Sequence, residues 1–183
     1  MTRISFGHSI SIAPEGLRLE RFLETKVVKS FDCGNKDLND FLCTEEVTRY
    51  SKLGLGATYL VFYHGDLVAY FTVSSDSLRV EYLKTVKSFT EIAEMRLEAI
   101  PAIKIGRLAT HIKHQNMGIG RSLIKYIAGM GLEGRIGVRL LIVQAKPESV
   151  SFYEKCGFQL TCETKREKGR RNRTMFLDLH GLI

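Results

Sequence analysis

Apolar positions along the chain fall into short runs whose spacing switches between the strand period and the helix period. Leu17 to Leu23 alternates imperfectly and predicts a first strand. Phe31 to Asn35 reads as loop. From Lys36 to Leu42 the side chains of Leu38, Phe41 and Leu42 share one side of a helix. Thr44 to Tyr50 reads as a second short helix with Thr44 as its N-cap. Thr58 to Tyr63 and Leu67 to Val73 are rich in aromatic and β-branched residues, and His64-Gly65-Asp66 between them reads as a hairpin turn. Ser74 to Glu98 is the least regular stretch, with a helical pattern over Phe89 to Leu97.

Pro101 biases the backbone back to extended, and Ile103 to Thr110 predicts a strand. Arg121 to Met130 reads as a helix facing the core through Leu123, Ile124, Ile127 and Ala128, with Gly129 and Gly131 expected to help end it. Val138 to Val143 is nearly continuous apolar, as a strand buried on both faces must be. Pro147 suits the first turn of a helix running through Tyr153, which Gly157 can cap in a left-handed conformation. Two closing strands, Phe158 to Glu163 and Thr174 to Leu179, flank a charged loop. The whole reads as one domain over residues 1–183, without internal repeat or linker.

Between the strand ending at Thr110 and the helix opening at Arg121 lies Gln115-Asn116-Met117-Gly118-Ile119-Gly120. Two glycines in a loop often form nothing more than a turn. Placed between strand and helix, however, they let a ligand approach the backbone, because no Cβ intervenes. The first amides of a helix lack intrahelical partners and its dipole favours negative charge, so a pyrophosphate is the natural guest. The sequence lacks the lysine-threonine ending of a triphosphate loop and the G-x-G-x-x-G dinucleotide fingerprint.

What it has is Q-x-x-G-x-G followed by Ser151-Phe152-Tyr153-Glu154-Lys155-Cys156-Gly157-Phe158. In that order and at that separation the two segments resemble the GNAT superfamily of N-acetyltransferases, over most of the chain from about Leu17 onward. The resemblance implies a GNAT fold of the α/β (α+β) class: a mixed, mainly antiparallel sheet of six to seven strands with helices on both faces. It also implies acetyl-CoA as acetyl donor and no metal. By the same resemblance, Gln115 opens the pyrophosphate loop, and the amides of Asn116, Met117, Gly118, Ile119, Gly120, Arg121 and Ser122 take the pyrophosphate. Main-chain groups of Leu108, Ala109 and Thr110 would take the pantetheine arm as an added strand.

Tyr153 is the expected general acid for the leaving thiolate, since a phenol is protonated at neutral pH; the plainer alternative is a core aromatic. No general base is readable. The strand before the loop carries only Lys104 and Arg107 as charges, and His111 and His114 read as solvated loop residues that are base candidates by pKa alone. Lys146 and His111 stand where many relatives carry small polar or acidic residues.

Composition narrows this little. The 183 residues are 44% hydrophobic, enough for one sizeable core. The net charge of +7 favours acidic partners. No apolar run is long enough for a membrane span, and the N-terminus lacks the apolar core of a signal peptide, so cytoplasm is the default location. Cys33, Cys43, Cys156 and Cys162 form no C-x-x-C pair and no zinc-like spacing with histidine, which suits reduced thiols.

Phe31-Asp32-Cys33-Gly34 with Leu38-Asn39-Asp40-Phe41-Leu42, and Ile105-Gly106-Arg107-Leu108-Ala109, resemble a narrower group: the acetyltransferase toxins of bacterial toxin–antitoxin pairs. That resemblance implies an aminoacyl-tRNA acceptor, a homodimer and a ribbon-helix-helix antitoxin. The cluster Lys165, Arg166, Lys168, Arg170, Arg171 and Arg173 can serve as a phosphate-binding loop or simply as a solvated hairpin tip. Two other readings stay open: acetylation of a small-molecule amine or protein amino group, and a CoA-binding regulatory module without turnover.

Overall fold

The protein is described from a computed structural model, which covers residues 16–23, 28–83, 89, 92, 94–133, 136–162 and 171–182. In chain order the strands and α-helices are β1 (Leu17–Arg21), α1 (Lys36–Cys43), α2 (Glu45–Lys52), β2 (Ala57–Tyr63), β3 (Asp66–Arg79), β4 (Ala99–Thr110), α3 (Ile119–Leu132), β5 (Leu140–Ala145), α4 (Val150–Lys155), β6 (Gln159–Leu160) and β7 (Arg173–Asp178). The strands form a seven-stranded sheet in the order β1-β2-β3-β4-β5-β7-β6. The β1–β2, β2–β3, β5–β7 and β6–β7 pairs are antiparallel. β4 and β5 are neighbours joined through α3, the crossover connection that parallel strands require.

The expected element order holds, and the exceptions have local causes. β3 does not stop at Val73 but runs to Arg79, through the segment expected to be irregular. Ser74, Ser75, Asp76 and Ser77 hide it, because both faces are polar where the strand is half to fully exposed. β4 begins at Ala99, so Pro101 lies inside a strand rather than before one; its carbonyl accepts from Arg139 N at 3.0 Å. β5 begins two residues later than Val138, and β6 shrinks to Gln159–Leu160.

Gly129 and Gly131 do not end α3, which continues to Leu132. A Cβ on Gly131 would lie 2.6 Å from Leu179 Cδ1, so the residue is small for packing, not for termination. The hairpin turn is as expected: His64 (φ 49°) and Gly65 (φ 94°) are both left-handed, the geometry whose twist matches the flanking strands.

Contacts divide the chain into two compact units. Among the described residues one comprises the stretches Gly16 to Ser74 and Ile105 to Ile127, the other Ser75 to Lys104 and Ala128 onward. The first is centred on Phe31, Phe41, Leu42, Val47, Leu60, Tyr70 and Ala109. Phe41 is fully buried, and truncating such a side chain to alanine costs about 3–5 kcal/mol. α1 is fastened at its first turn: Asn35 caps it by accepting from Leu38 N at 3.3 Å, and the Tyr70 hydroxyl donates to Leu38 O at 2.7 Å. Thr44 caps α2 by accepting from Glu46 N at 3.2 Å, as expected.

The second unit is centred on Leu78, Leu83, Phe89, Ile100, Ala102, Leu140, Ile142 and Phe176. Arg139 clamps β7 there through a two-pronged pair with Asp178, Nε–Oδ1 2.6 Å and Nη2–Oδ2 2.9 Å.

Candidate functional site

In the first unit, β4 hands over to α3 through a loop that is held from outside. The chain leaves the sheet at His111, whose N–H donates to Val68 O at 2.8 Å, and Ile112 N donates to Asp32 O at 2.8 Å. Residues 112–114 make one 3-10 turn, in which His111 Nδ1 accepts from Lys113 N. Gln115 then reaches back: its Nε2 donates to Thr110 O at 3.1 Å and to Cys33 O at 2.9 Å. The first residue of the glycine motif is thus a clasp between the loop and the Phe31–Asn35 segment.

That segment is itself pre-set. The Asp32 carboxylate accepts from Gly34 N (2.8 Å) and Asn39 Nδ2 (3.0 Å), and the Gly34 amide, then the Asn39 side chain, hold its pKa below the usual carboxylate value. Asn39 Oδ1 accepts from Cys33 N at 2.9 Å. Phe31 packs edge-on against both Tyr70 and His111. The F-D-C-G string therefore buttresses the glycine loop, a role its residue types did not reveal.

Asn116 (φ 62°) and Gly118 (φ 82°) are left-handed on either side of Met117. Alternating left-handed residues of this kind are the backbone pattern of a nest, in which neighbouring amides can converge on an anion. α3 opens at Ile119, and its first internal bond is Ser122 N to Gly118 O at 3.0 Å. Helix geometry then leaves the amides of Ile119, Gly120 and Arg121 without partners inside the helix, while the amide of Ser122 is engaged. A Cβ placed on Gly118 would meet no atom within 4 Å, so the space in front of this residue is open. Met117 is exposed and Ile119 is buried, which pins the helix start while leaving the loop on the surface. These features fit a pyrophosphate. Leu108, Ala109 and Thr110 are the last residues of β4, with Ala109 buried.

Arg107 lies on β4 with its guanidinium 3.6 Å above the Phe41 ring and its Nη2 3.0 Å from Glu46 Oε1. It is a fastener between β4 and the first two helices. His114 Nδ1 is buried without a hydrogen-bond partner.

In the second unit Pro147 opens a 3-10 turn, and Tyr153 sits on α4 with Gly157 (φ 91°) closing the helix end. Gly157 N donates to Glu154 O at 2.9 Å. Tyr153 is buried, edge-on to Phe152 (5.1 Å between centroids) and Phe158 (5.3 Å). Burial, and secondarily the nearby Cys156, pushes its phenol pKa above the ordinary value, so it stays protonated well beyond neutral pH. Of the basic cluster, Arg171 and Arg173 are exposed, Arg173 opening β7; Lys165, Arg166, Lys168 and Arg170 lie outside the described residues.

No cysteine forms a disulfide, and among the described residues no three metal-ligating side chains converge. Among those residues no helix is long and apolar enough to cross a membrane.

No curated protein matches this chain in sequence. Many solved structures share its fold. A bacterial toxin superposes with a TM-score of 0.76 at 17% identity, covering 91% of this chain and 92% of the toxin. A mutant of KacT superposes with a TM-score of 0.76 at 22% identity, covering 92% and 98% of the two chains. AtaT in complex with acetyl-methionyl-tRNAfMet gives 0.73 at 20% identity, over 91% and 96%. In sequence, residues 80–179 match the family described as acetyltransferase (GNAT) domain. That match takes in α3, α4 and more than half of the chain, and this protein belongs to the GNAT acetyltransferase family.

Proposed function

We propose that this protein transfers the acetyl group of acetyl-CoA to the α-amino group of an amino acid carried on tRNA. The observation that carries the donor half is the pair of left-handed residues, Asn116 and Gly118, opening a fourteen-residue helix at an unobstructed surface. When bound, acetyl-CoA supplies an acyl group activated as a thioester. The chain's own residues do the rest. The amides of the Asn116–Arg121 segment hold the pyrophosphate, and Leu108, Ala109 and Thr110 offer main-chain groups to the pantetheine arm. The Tyr153 hydroxyl hands a proton to the sulfur as the C–S bond breaks and the C–N bond forms, and regains one from solvent. The attacking nitrogen releases its proton to solvent.

The acceptor half rests on likeness. AtaT has been solved with acetyl-methionyl-tRNAfMet, and with acetyl-CoA and the C-terminus of its antitoxin AtaR. The net charge of +7 suits a polyanionic acceptor. The same likeness supports an antitoxin partner, since AtaT has been solved with AtaR; the ribbon-helix-helix type of that partner and a homodimeric working state are carried over from the toxin resemblance of the sequence alone.

The test is an acetylation assay on a charged-tRNA pool with labelled acetyl-CoA, beside a salt titration of tRNA binding. Wild-type protein is expected to acetylate at least one aminoacyl-tRNA. Reversing Arg170, Arg171 and Arg173 to Glu is expected to weaken tRNA binding and lower its salt slope by roughly 0.7–0.9 per lost phosphate contact. If the wild type neither binds tRNA nor acetylates any aminoacyl-tRNA, the acceptor is a small-molecule amine or a protein amino group instead.

A further inference from the structure

The second unit contains a cleft of about 240 Å³ that no motif announces. Its polar wall comes from three strands that follow one another in the sheet order: Asp76 on β3, Lys104 on β4 and Gln144 on β5. Its floor is apolar, with Leu78 and Ile142 both buried. Tyr82 stands on the turn after β3 and closes one side.

Asp76 and Lys104 face each other across this cleft. Asp76 Oδ1 accepts from Ser77 N at 2.7 Å, which fixes the carboxylate, while Oδ2 lies 3.5 Å from Lys104 Nζ. That separation is too long for a good hydrogen bond. Both side chains are about one-third exposed, so the pair is weak and opens at little cost. A carboxylate and an ammonium at this distance complement a ligand that carries an ammonium next to a carbonyl oxygen: the ammonium donates to Asp76, and the carbonyl accepts from Lys104. Leu78 and Ile142 are then left for a hydrocarbon side chain. At about 240 Å³ the open cleft has room for an aminoacyl group.

We propose that the cleft between Asp76, Lys104 and Gln144 is the recognition site for the α-aminoacyl group of the acceptor. This deepens the acetyltransferase reading above and rests on it. Asp76 and Lys104 are specificity residues: they select an α-amine beside a carbonyl over an isolated amine, and the bound ammonium releases one proton to solvent before the nitrogen attacks, a second leaving to solvent as the amide forms.

The test uses full-length protein and two readouts. In steady-state acetylation of charged tRNA, Asp76→Asn is expected to raise KM for the acceptor at least tenfold, with acetyl-CoA affinity and kcat within twofold of wild type. The asparagine can still accept from Ser77 N, so folding is retained. Lys104→Met is expected to act in the same direction, and the double variant to lose less than the product of the single losses, because both side chains serve one ligand. The second readout is amide NMR with leucinamide, a small α-amine beside a carbonyl. Its addition is expected to shift the resonances of Asp76, Lys104 and Gln144, and its desamino analogue to leave them unmoved. An unchanged acceptor KM in Asp76→Asn, or leucinamide shifts that cluster elsewhere, overturns the assignment. Leucinamide shifts in the cleft that vanish in Asp76→Asn, together with no acetylation of any charged tRNA, would keep the cleft and sink the aminoacyl-tRNA reading.

Discussion

Gln115 Nε2 donates to the carbonyl of Cys33 across 2.9 Å, joining residues 82 positions apart in sequence. The second bond of the same amide group, to Thr110 O, makes Gln115 a three-point clasp between the end of β4, the glycine loop and the segment before α1. Its chemistry toward a pyrophosphate is therefore indirect: it sets where Asn116 and Gly118 stand. Gln115→Leu keeps the bulk and removes both bonds. Each is exposed and contributes about 1 kcal/mol, so global stability is expected to fall by no more than about 2 kcal/mol. Acetyl-CoA affinity is expected to fall several-fold, and to fall further in Gln115→Glu, because an ionised carboxylate donates to neither carbonyl and sets a negative charge beside the loop. Calorimetry on both variants checks this; equal, wild-type affinity in the leucine variant would leave the clasp without a role in binding.

Gly118 offers a cleaner separation of backbone from ligand. Its φ of 82° is strained for residues with a Cβ, by roughly 1–2 kcal/mol, yet a Cβ there meets nothing within 4 Å. Gly118→Asn tolerates the left-handed backbone and Gly118→Val does not. If only the backbone mattered, asparagine would bind acetyl-CoA like wild type. The expectation is that both variants lose affinity at least tenfold, because any side chain enters the space meant for the pyrophosphate, and that only valine also lowers the denaturation midpoint. A folded asparagine variant with full affinity would sink the assignment of this loop.

What could be read from sequence divides along physical lines. The glycine loop, the His64-Gly65 turn and the Thr44 cap were legible because each depends on a few adjacent residues whose backbone freedom or side-chain oxygen has one common use. The extension of β3 was not, since Ser74 to Ser77 sit where the strand is solvated and carry no alternation. Gly131 misled because a glycine small for Leu179 and a glycine ending a helix look the same in one dimension. The clasp at Gln115 and the pairing of Asp76 with Lys104 join residues that only the fold brings together.

Tyr70 and Tyr153 tie stability to alkaline pH. Burial is the main cause of the raised pKa at both, and at Tyr70 the nearby Arg107 opposes it. In the unfolded chain both phenols titrate near 10.0. Their contribution is fully present below that pH. Above it the unfolded chain releases protons that the folded chain retains, so stability falls by about 1.4 kcal/mol per pH unit for each tyrosine until the folded phenols titrate. Denaturant midpoints measured between pH 8 and pH 11, a span chosen around the ordinary phenol value of about 10, should be level at first and then drop. Tyr70→Phe is expected to halve the slope and, by leaving Leu38 O without its donor, to cost about 1–2 kcal/mol at neutral pH. An unaltered alkaline slope in that variant would mean that Tyr70 ionises as freely folded as unfolded.

The same protonated state is what an acid catalyst needs. Tyr153 is held neutral by its burial between Phe152 and Phe158, contacts made by the ring and not by the hydroxyl. Tyr153→Phe therefore keeps the packing and deletes one oxygen. Loss of a general acid is expected to lower kcat by roughly 10²-fold or more while acetyl-CoA affinity and the denaturation midpoint stay near wild type. Cys156, which ends the same helix, is a second proton-bearing group nearby, and Cys156→Ser distinguishes the two: it is expected to leave kcat within twofold. The wild-type rate should also show no alkaline decline assignable to this phenol below pH 10, because the group that titrates there in a solvated tyrosine remains protonated here. Full turnover in the phenylalanine variant, with the Cys156→Ser rate collapsing instead, would move the proton donation from the phenol to the thiol.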